Sequence, residues 1–312
     1  MGRYIIHRLI SMALTLFFII TITFLLMHAI PGGPFTREKP LPEAIIKALN
    51  EKYHLDDPIW KQYLDYWKDI LRGDLGPSFQ LANYTVNDLI ARGFPITAKL
   101  GIVSIIFTVL IGVPMGVISA LRQGKWEDYT TMFIATLGVT IPSFVLATIL
   151  IYLFGVVFKI FPVSSGSLTK PIQYVLPVIA LSGYSLSFIA RLMRSSMLDV
   201  IRQDYIRTAR AKGLSELKVI YKHALKNAII PVITYLGPLA AGLLTGSFVI
   251  ERLFSIPGMG EYFVKSVGNR DYTMIMGSTI FYSVILVVMN FIVDIIYVII
   301  DPRIKLTSTK EG

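Results

Sequence analysis

The pattern of hydrophobic and polar positions divides the chain into six long apolar segments joined by polar connections. Each segment contains about 20 residues or more, the length that an α-helix needs to cross a hydrocarbon core roughly 30 Å thick. Apolar runs of this length predict transmembrane helices, because the surface helices of soluble domains interrupt them with a polar face. The predicted spans cover residues 9–30, 96–121, 132–158, 172–192, 229–250 and 274–300.

The first segment follows Arg3 and Arg8, as the apolar core of a signal peptide would. Its apolar run is too long for a signal peptide, and no small-residue cleavage site follows it, so we expect a retained anchor. The predicted organisation is an N-terminal anchor helix (1–30), an extracytoplasmic cap (31–95), a transmembrane core (96–301) and a cytoplasmic tail (302–312).

Lysine and arginine residues are concentrated in the connections on one side of the predicted bundle. Residues 191–226 include nine basic and three acidic side chains, which leaves a net charge of +6. On the other side, residues 31–95 include eight basic and nine acidic side chains, and residues 251–272 include three of each. Because cytoplasmic loops are enriched in lysine and arginine, we expect both termini and residues 191–226 to be cytoplasmic.

The amino-acid composition supports an integral membrane protein and excludes several other classes of protein. Of the 312 residues, 54% are hydrophobic and 16% are charged, whereas soluble proteins have about 25% charged residues. There are no cysteines, which excludes a disulfide framework, a thiolate metal site and cysteine catalysis. The net charge of +10 is attributed to cytoplasmic loops that face anionic lipid, and not to a nucleic-acid partner.

The cap contains a predicted helix with Asp57 as N-cap, Pro58 as first helical residue and Gly73 as the stop. This helix either lies on the bilayer surface with its aromatic rings at headgroup level or docks on a protein partner. Its apolar positions recur at helical spacing and are Trp60, Tyr63, Leu64, Trp67, Ile70 and Leu71.

Two spans combine glycine pairs, which let helix backbones approach closely, with proline, which bends a helix. Pore lining and ordinary helix packing both explain such residues. They are Gly112, Pro114 and Gly116 in the second span, and Gly237, Pro238, Gly242 and Gly246 in the fifth. The main charged residues in the spans are Lys99, which we expect to reach the membrane surface, and Asp294, which we expect to pair with a basic loop residue.

The connection between the fourth and fifth spans, at about 193–228, predicts two short helices separated by a sharp break. Asp204 begins the first helix and Gly213 ends it. Ser215 caps the second helix, whose apolar face opposes a row of lysines. A basic hairpin of this kind fits either anionic lipid or a soluble partner. The predicted apolar face consists of Leu217, Ile220, Tyr221, Ala224 and Leu225.

The sequence of this connection resembles the cytoplasmic coupling loop of ABC importer permeases, particularly the oligopeptide and dipeptide branch. The resemblance implies an all-α integral membrane protein with the type I ABC importer permease fold, and a pore subunit that is not itself an enzyme. The matching runs are Asp204-Tyr-Ile-Arg-Thr-Ala-Arg-Ala-Lys-Gly213, His223-Ala-Leu-Lys-Asn227, Ile230-Pro231, Ile30-Pro-Gly-Gly-Pro34, Gly73-Asp-Leu-Gly76, Phe254-Ser-Ile-Pro-Gly-Met-Gly260, Asn269-Arg-Asp-Tyr272 and Asp301-Pro-Arg303.

In that family, the short helix of the loop seats in a cleft of an ATPase subunit and transmits its movement to the membrane helices. The resemblance implies a second homologous permease subunit, two ABC ATPase subunits, an extracytoplasmic peptide-binding protein and membrane lipid as partners, and no nucleic acid. ATP and Mg²⁺ would be held by the ATPase subunits, since this chain has no GxxxxGK[ST] sequence. The implied coupling residues are Asp204, Tyr205, Arg207, Thr208, Ala209, Arg210, Ala211, Lys212, Gly213, Leu217 and His223.

Other functions stay open. Importers of nickel or glutathione share the sequence pattern of the resembled branch, so the substrate is not fixed. A secondary transporter would need intramembrane groups that couple ion movement, for which Asp294 is the candidate. A membrane-embedded hydrolase would need a catalytic constellation, but the four histidines are scattered and no HExxH sequence occurs.

Overall fold

The structure, a computed structural model, describes residues 2–31, 33–35, 43–81, 83–166 and 168–300. Gly32, the predicted Asp301-Pro-Arg303 motif and the predicted tail lie outside the described residues. Helices dominate the described ranges, and the bridge between Pro77 and Thr85 is isolated. In chain order the helices are α1 (Gly2–Ala29), α2 (Glu43–Lys52), α3 (Ile59–Leu71), α4 (Val86–Leu121), α5 (Trp126–Thr140), α6 (Ser143–Val157), α7 (Val175–Ile201), α8 (Asp204–Ala211), α9 (Glu216–Ala228), α10 (Ile230–Leu244), α11 (Phe248–Leu253), α12 (Met259–Asn269) and α13 (Tyr272–Ile300).

Four of these helices are long and apolar enough to cross a membrane by themselves: α1 over Ile5–Ala29, α4, α7, and α13 over Tyr272–Ile296. Two bent pairs, α5 with α6 and α9 with α10, also reach the required length and hydropathy. The described residues therefore provide six crossings if each bent pair is one span, which is the number predicted from the sequence.

The third predicted span is wrong in its shape, because α5 and α6 meet at an angle of 107°. The break lies at Ile141, whose backbone is extended (φ −83°, ψ 119°). Pro142 follows, and a proline disfavours the helical conformation of the residue before it. The hydrophobic run of 132–158 is continuous, but the helix is not.

The fifth predicted span is also shorter than expected. α10 ends at Leu244, and Gly246 adopts a φ of +80° beyond its end. Ser247 then acts as the N-cap of α11, where its side chain accepts a hydrogen bond from the backbone nitrogen of Ile250. A left-handed glycine followed by a capping serine ends one helix and begins another within an apolar run.

The chain divides into two compact units. Of the described residues, the first contains those up to Thr97 together with Gly258–Ile285, and the second contains those of Ala98–Pro257 and those from Leu286 onward. The described part of the cap therefore shares a unit with α1, α12 and the first half of α13. The predicted coupling loop lies in the second unit.

In the first unit, α3 packs across α1 through aromatic and polar side chains. The hydroxyl groups of Tyr63 and Thr21 lie 2.7 Å apart. The rings of Trp67 and Phe17 stack with their centroids 5.6 Å apart. These pairs place the cap helix beside the apolar length of α1.

The start of α3 differs from the prediction by one residue. Pro58 is the N-cap, with φ −55° and ψ 141°, so the helix begins at Ile59. Asp57 instead forms an ion pair with Lys61 at 2.9 Å. The predicted apolar stripe also divides, since Tyr63 and Trp67 contact α1 whereas three side chains remain exposed: Trp60, Leu64 and Leu71.

The connection between α12 and α13 is fixed by Asp271, whose side chain is buried. Its carboxylate accepts hydrogen bonds from the backbone nitrogens of Phe79 at 3.1 Å and Gln80 at 3.3 Å. It also accepts bonds from the hydroxyl of Ser78 and from the backbone nitrogen of Met274. Hydrogen bonds to an ionised acceptor are stronger than neutral ones. Asp271 therefore ties the cap to the start of α13.

The second unit is built around the buried face of α7. Side chains of α4, α8, α9 and α10 pack against this face, so the predicted coupling loop is fixed to the helix that precedes it. The buried cluster consists of Ala120, Ile189, Met193, Met197, Ile206, Ala209, Val219, Ala224, Ala228, Val232, Leu239 and Leu243.

Candidate coupling site

The first arm of the predicted hairpin is α8, which begins at Asp204 and ends after Ala211 with Lys212 as C-cap. Gly213 follows with a φ of +74°, in the left-handed region that glycine adopts without strain. A Cβ placed on Gly213 would meet no atom within 4 Å. The sharp break between the arms therefore depends on backbone conformation and not on crowding.

The second arm, α9, is only partly as predicted. Ser215 is its N-cap, but the Ser215 side chain forms no capping hydrogen bond. The stretch Val219–Ala224 is π-helical, and its i→i+5 hydrogen bonds place two residues five apart on one face. Val219 and Ala224 are accordingly buried, whereas Leu217 and Tyr221 are 69% and 66% exposed. The predicted apolar face, which assumed an α-helix, was wrong for these two exposed residues.

Two polar contacts join the arms. At the break, Arg210 donates from Nε and Nη2 to the two carboxylate oxygens of Glu216, at 2.8 and 3.3 Å. At the open end, the side-chain amide of Asn227 donates to the hydroxyl of Tyr205 at 2.7 Å. An exposed ion pair adds little stability, but the two-point contact fixes the orientation of one arm on the other.

The predicted coupling residues do not all face outward. Ile206 and Ala209 are buried in the core cluster around α7, so Ala209 is a packing residue within this chain. His223 is half-buried. The exposed residues form the outer surface of the hairpin and are Asp204, Tyr205, Arg207, Thr208, Arg210, Ala211, Lys212, Gly213 and Leu217.

The two glycine pairs of the spans have different surroundings. A Cβ on Gly116 would lie 2.5 Å from the carbonyl oxygen of Ala190 in α7, and one on Gly112 would lie 3.1 Å from Ile189. A Cβ on Gly242 would meet no atom within 4 Å. The first pair therefore permits close packing of α4 on α7. Gly246 lies beyond the end of α10, while Pro114 and Pro238 lie inside the helices α4 and α10.

The two charged residues predicted in the spans differ in their exposure. Lys99 is exposed and Asp294 is half-buried. A buried charge that the sequence did not single out is Asp128, in the first turn of α5, which is paired with Arg194 of α7 at 2.7 Å. The predicted span ends at 192 and leaves Arg194 in the loop, whereas α7 continues to Ile201.

Several hydroxyl groups in the spans bond their own helix. Thr136 donates to the carbonyl of Met132, and Ser187 donates to that of Gly183, both at 2.8 Å. Such local bonds are the usual state of serine and threonine inside helices. In the part of the chain that the structure describes, no group of three or more His, Asp or Glu side chains could hold a metal ion.

The long apolar helices, together with a connection that forms a basic hairpin seated on a core helix, define an integral membrane protein. The chain belongs to the family of binding-protein-dependent transport system inner membrane components, whose family model matches residues 112–306. A second model, for the N-terminal part of such membrane components, matches residues 1–101.

Full-length relatives are similar to this chain at high identity. The dipeptide transport system permease protein DppB of Bacillus subtilis (strain 168) is 53% identical over 306 residues, which cover 98% of this chain and 99% of that protein. The oligopeptide transport system permease protein OppB of Salmonella typhimurium (strain LT2) is 44% identical, covering 98% of this chain and all of that protein. The matched proteins are permeases, and this chain is a permease subunit of the same kind.

Solved structures share the fold. The MetNI methionine ABC transporter, in an inward-facing conformation, contains a chain with a TM-score of 0.55 and 22% sequence identity. The match covers 68% of this chain and 96% of that chain. An amino acid ABC transporter crystallised with histidines matches with a TM-score of 0.51, 18% identity and coverage of 68% and 94%. The fold is therefore that of type I ABC importer permeases.

Proposed function

We propose that this chain forms half of the translocation path of an ATP-driven importer for dipeptides or oligopeptides. A second homologous permease subunit completes the path, and two ABC ATPase subunits bind the nucleotide and Mg²⁺. The observation that carries the proposal is the exposed outer face of α8, whose inner face is seated on α7 through Ile206 and Ala209. Similarity to dipeptide and oligopeptide permeases over 98% of the chain supports the substrate class.

The hairpin geometry suggests how the work of ATP hydrolysis enters the chain. Closure of the ATPase subunits displaces α8 through its exposed side chains. Because protein interiors are close-packed, this displacement reaches α7 through the buried cluster that contains Ile206, Ala209, Met193 and Met197. Movement of α7 then changes the path from inward-facing to outward-facing, which is alternating access.

Charge distribution supports a cytoplasmic position for the hairpin. Residues 191–226 have a net charge of +6, and the positive-inside rule favours a cytoplasmic position for such a segment. Both termini then face the cytoplasm, and the cap faces the exterior of a prokaryotic cell membrane. The cap is therefore the part of the chain that an extracytoplasmic peptide-binding protein meets.

The exposed apolar stripe of α3, formed by Trp60, Leu64 and Leu71, is assigned to lipid. The adjacent face of α3 contacts Thr21 of α1, which lies eight residues, or about 12 Å, before the end of that apolar helix. The stripe is therefore beside a surface of α1 that itself lies in the membrane. Trp60 supplies the aromatic ring typical of interfacial helices. The binding protein then docks on other parts of the cap.

Reconstitution in proteoliposomes tests the proposed function. The chain, its sister permease and both ATPase subunits are purified together, and uptake of a labelled dipeptide and a labelled pentapeptide is measured with the binding protein present. We expect uptake that requires ATP and stops when both ATPases carry a hydrolysis-blocking substitution. Uptake driven by an ion gradient without ATP would instead indicate a secondary transporter.

The same preparation separates the substrate classes. Unlabelled peptide should compete with the labelled peptide for uptake, whereas nickel and glutathione should not. ATP-driven accumulation of nickel or glutathione, with no accumulation of peptide, would preserve the importer class and contradict the peptide assignment.

A further inference from the structure

The carboxylate of Asp128, in the first turn of α5, is only 4% exposed and is the meeting point of three helices. Arg194 of α7 donates to both carboxylate oxygens, from Nε to Oδ1 at 2.7 Å and from Nη2 to Oδ2 at 2.8 Å. The hydroxyl of Ser119, near the end of α4, donates to Oδ1. The backbone nitrogen of Gly124 donates to Oδ2 at 3.0 Å.

Two ordinary explanations do not account for this arrangement. An acidic residue in the first turn of a helix is favoured by the helix dipole, but Glu127 already supplies one in α5. A buried ion pair seldom adds stability over an apolar pair of similar volume, because the desolvation of both charges opposes their attraction. The two-point contact does fix the orientation of α5 relative to α7.

Arg194 lies on the part of α7 that carries the hairpin. Met193 precedes it and Met197 follows within one turn, and both are fully buried in the cluster that contains Ile206 and Ala209 of α8. The guanidinium group therefore shares a rigid segment of helix with the seat of α8. A displacement of α8 is passed to Arg194 through packed side chains.

Asp128 lies at the other end of this series of contacts, which leads from α8 through α7 to Arg194. Its helix, α5, runs to Thr140 and continues into α6 after the bend of 107°. We propose that Asp128 and Arg194 are positioning residues for transport, forming the joint through which movement of the α8–α9 hairpin is passed to the bent pair α5–α6. The inference rests on the proposed function, because it takes the hairpin as the element on which the ATPase subunits act.

Charge-neutral variants test the joint in the complete transporter. Asp128→Asn and Arg194→Gln are made singly and together, and peptide uptake and ATP hydrolysis are measured on the same proteoliposomes. We expect the uptake per ATP hydrolysed to fall about tenfold in each variant, within the range of couplings between distant sites. ATP hydrolysis itself should change little, because the outer face of α8 is untouched. A purely structural role would lower both activities together, through loss of assembled complex.

The double variant keeps the inference testable if a single variant fails to assemble. A lone buried charge is strongly destabilising, whereas a neutral pair leaves no charge unpaired. Assembled double variant with a normal uptake per ATP would overturn the proposal, and so would a double variant that never assembles, since the pair would then serve folding alone. Arg191→Lys is the matched control, because Arg191 also reaches α5 from α7, donating to the carbonyl of Ala135 at 3.4 Å.

A second measurement does not depend on the substrate. Deuterium exchange of residues 126–140 is compared with and without a non-hydrolysable ATP analogue, in the complete complex. We expect a nucleotide-dependent change in the wild type that is lost in the double variant. Persistence of the nucleotide-dependent exchange in the double variant would overturn the proposal that the pair forms this joint. Absence of peptide uptake by the wild type, with this change present, would contradict the proposed substrate only.

Discussion

The hydroxyl group of Tyr205 and the side-chain amide of Asn227, which are 22 residues apart in the sequence, form a hydrogen bond of 2.7 Å. This bond closes the open end of the α8–α9 hairpin, and the ion pair between Arg210 and Glu216 closes the other end. With both ends joined, the two arms form one body. A force applied to α8 therefore moves α9 as well.

The first prediction concerns this closure. Tyr205→Phe removes the hydroxyl group and should cost about 1 kcal/mol of local stability, the usual net value of a hydrogen bond. Deuterium exchange should become faster in residues 204–228 and remain unchanged elsewhere. Tyr221→Phe is the matched control, since Tyr221 is an exposed tyrosine of the second arm. Equal exchange in the two variants would show that the bond does not hold the hairpin closed.

The second prediction concerns the break between the arms. Gly213→Val forces a β-branched residue into a positive φ, which costs about 1–3 kcal/mol for a strained backbone conformation. Peptide uptake coupled to ATP should be abolished, while membrane insertion, assayed by membrane fractionation, stays normal. Gly213→Asn is the control, because asparagine tolerates the left-handed region, and it should retain most uptake. Normal uptake by the valine variant would contradict the coupling role of the hairpin.

The third prediction compares two glycines in the spans. Gly116→Ala would place a methyl group 2.5 Å from the carbonyl oxygen of Ala190, so α4 and α7 must separate. Overpacking of this kind costs about 1–3 kcal/mol, and thermal unfolding of the purified chain in detergent should shift to a lower temperature.

The control for this comparison is the same substitution at Gly242. No atom lies within 4 Å of a Cβ placed there. Gly242→Ala should leave the unfolding temperature unchanged or slightly raised, because alanine is the better helix former by about 1 kcal/mol. Similar losses of stability in both variants would mean that the α4–α7 contact is not close-packed.

The fourth prediction concerns the cap helix. The chain has three tryptophans, so the double variant Trp67→Phe and Trp126→Phe retains Trp60 alone. In proteoliposomes with brominated acyl chains, the fluorescence of Trp60 should be strongly quenched, whereas iodide in the external buffer should have little effect. The reverse pattern of quenching would place the α3 stripe in water, and weak quenching by both agents would place it against a protein.

Fluorescence of the same variant also shows whether lipid or the binding protein covers the exposed stripe of α3. Addition of saturating binding protein should leave the emission of Trp60 unchanged if lipid covers the stripe. A shift of the emission maximum on addition would show that the binding protein covers Trp60. An introduced cysteine would serve equally well as the labelled position in these fluorescence measurements, because the natural chain has no cysteine.

The features that the sequence predicts well are those that depend on local composition. Membrane spans follow from long apolar runs, and the end of α8 follows from Gly213, where glycine is favoured by a positive φ. The bend at Ile141 also has a local signal, the following proline. The uninterrupted hydrophobicity of 132–158 nevertheless predicts a single span. Hydrophobicity indicates burial in lipid and carries no information on helix direction.

The features that the sequence does not predict are pairings and helix type. Asp128 and Arg194 are 66 residues apart, and neither has a local pattern that identifies its partner. The burial of Val219 and Ala224 depends on a π-helical stretch, whereas the expected apolar face assumed 3.6 residues per turn. Tertiary packing on α7 decided both outcomes.

The π-helical stretch Val219–Ala224 also bears on how chains of unequal length can share one hairpin. A π-turn accommodates one residue more than an α-turn between the same two anchor points. Deleting a single residue here would let the arm close as ordinary α-helix, with Ser215 and Asn227 keeping their places. A gap of one position between homologous permeases would then mark a local change of helix type, and the surface offered to the proposed ATPase subunits would stay the same.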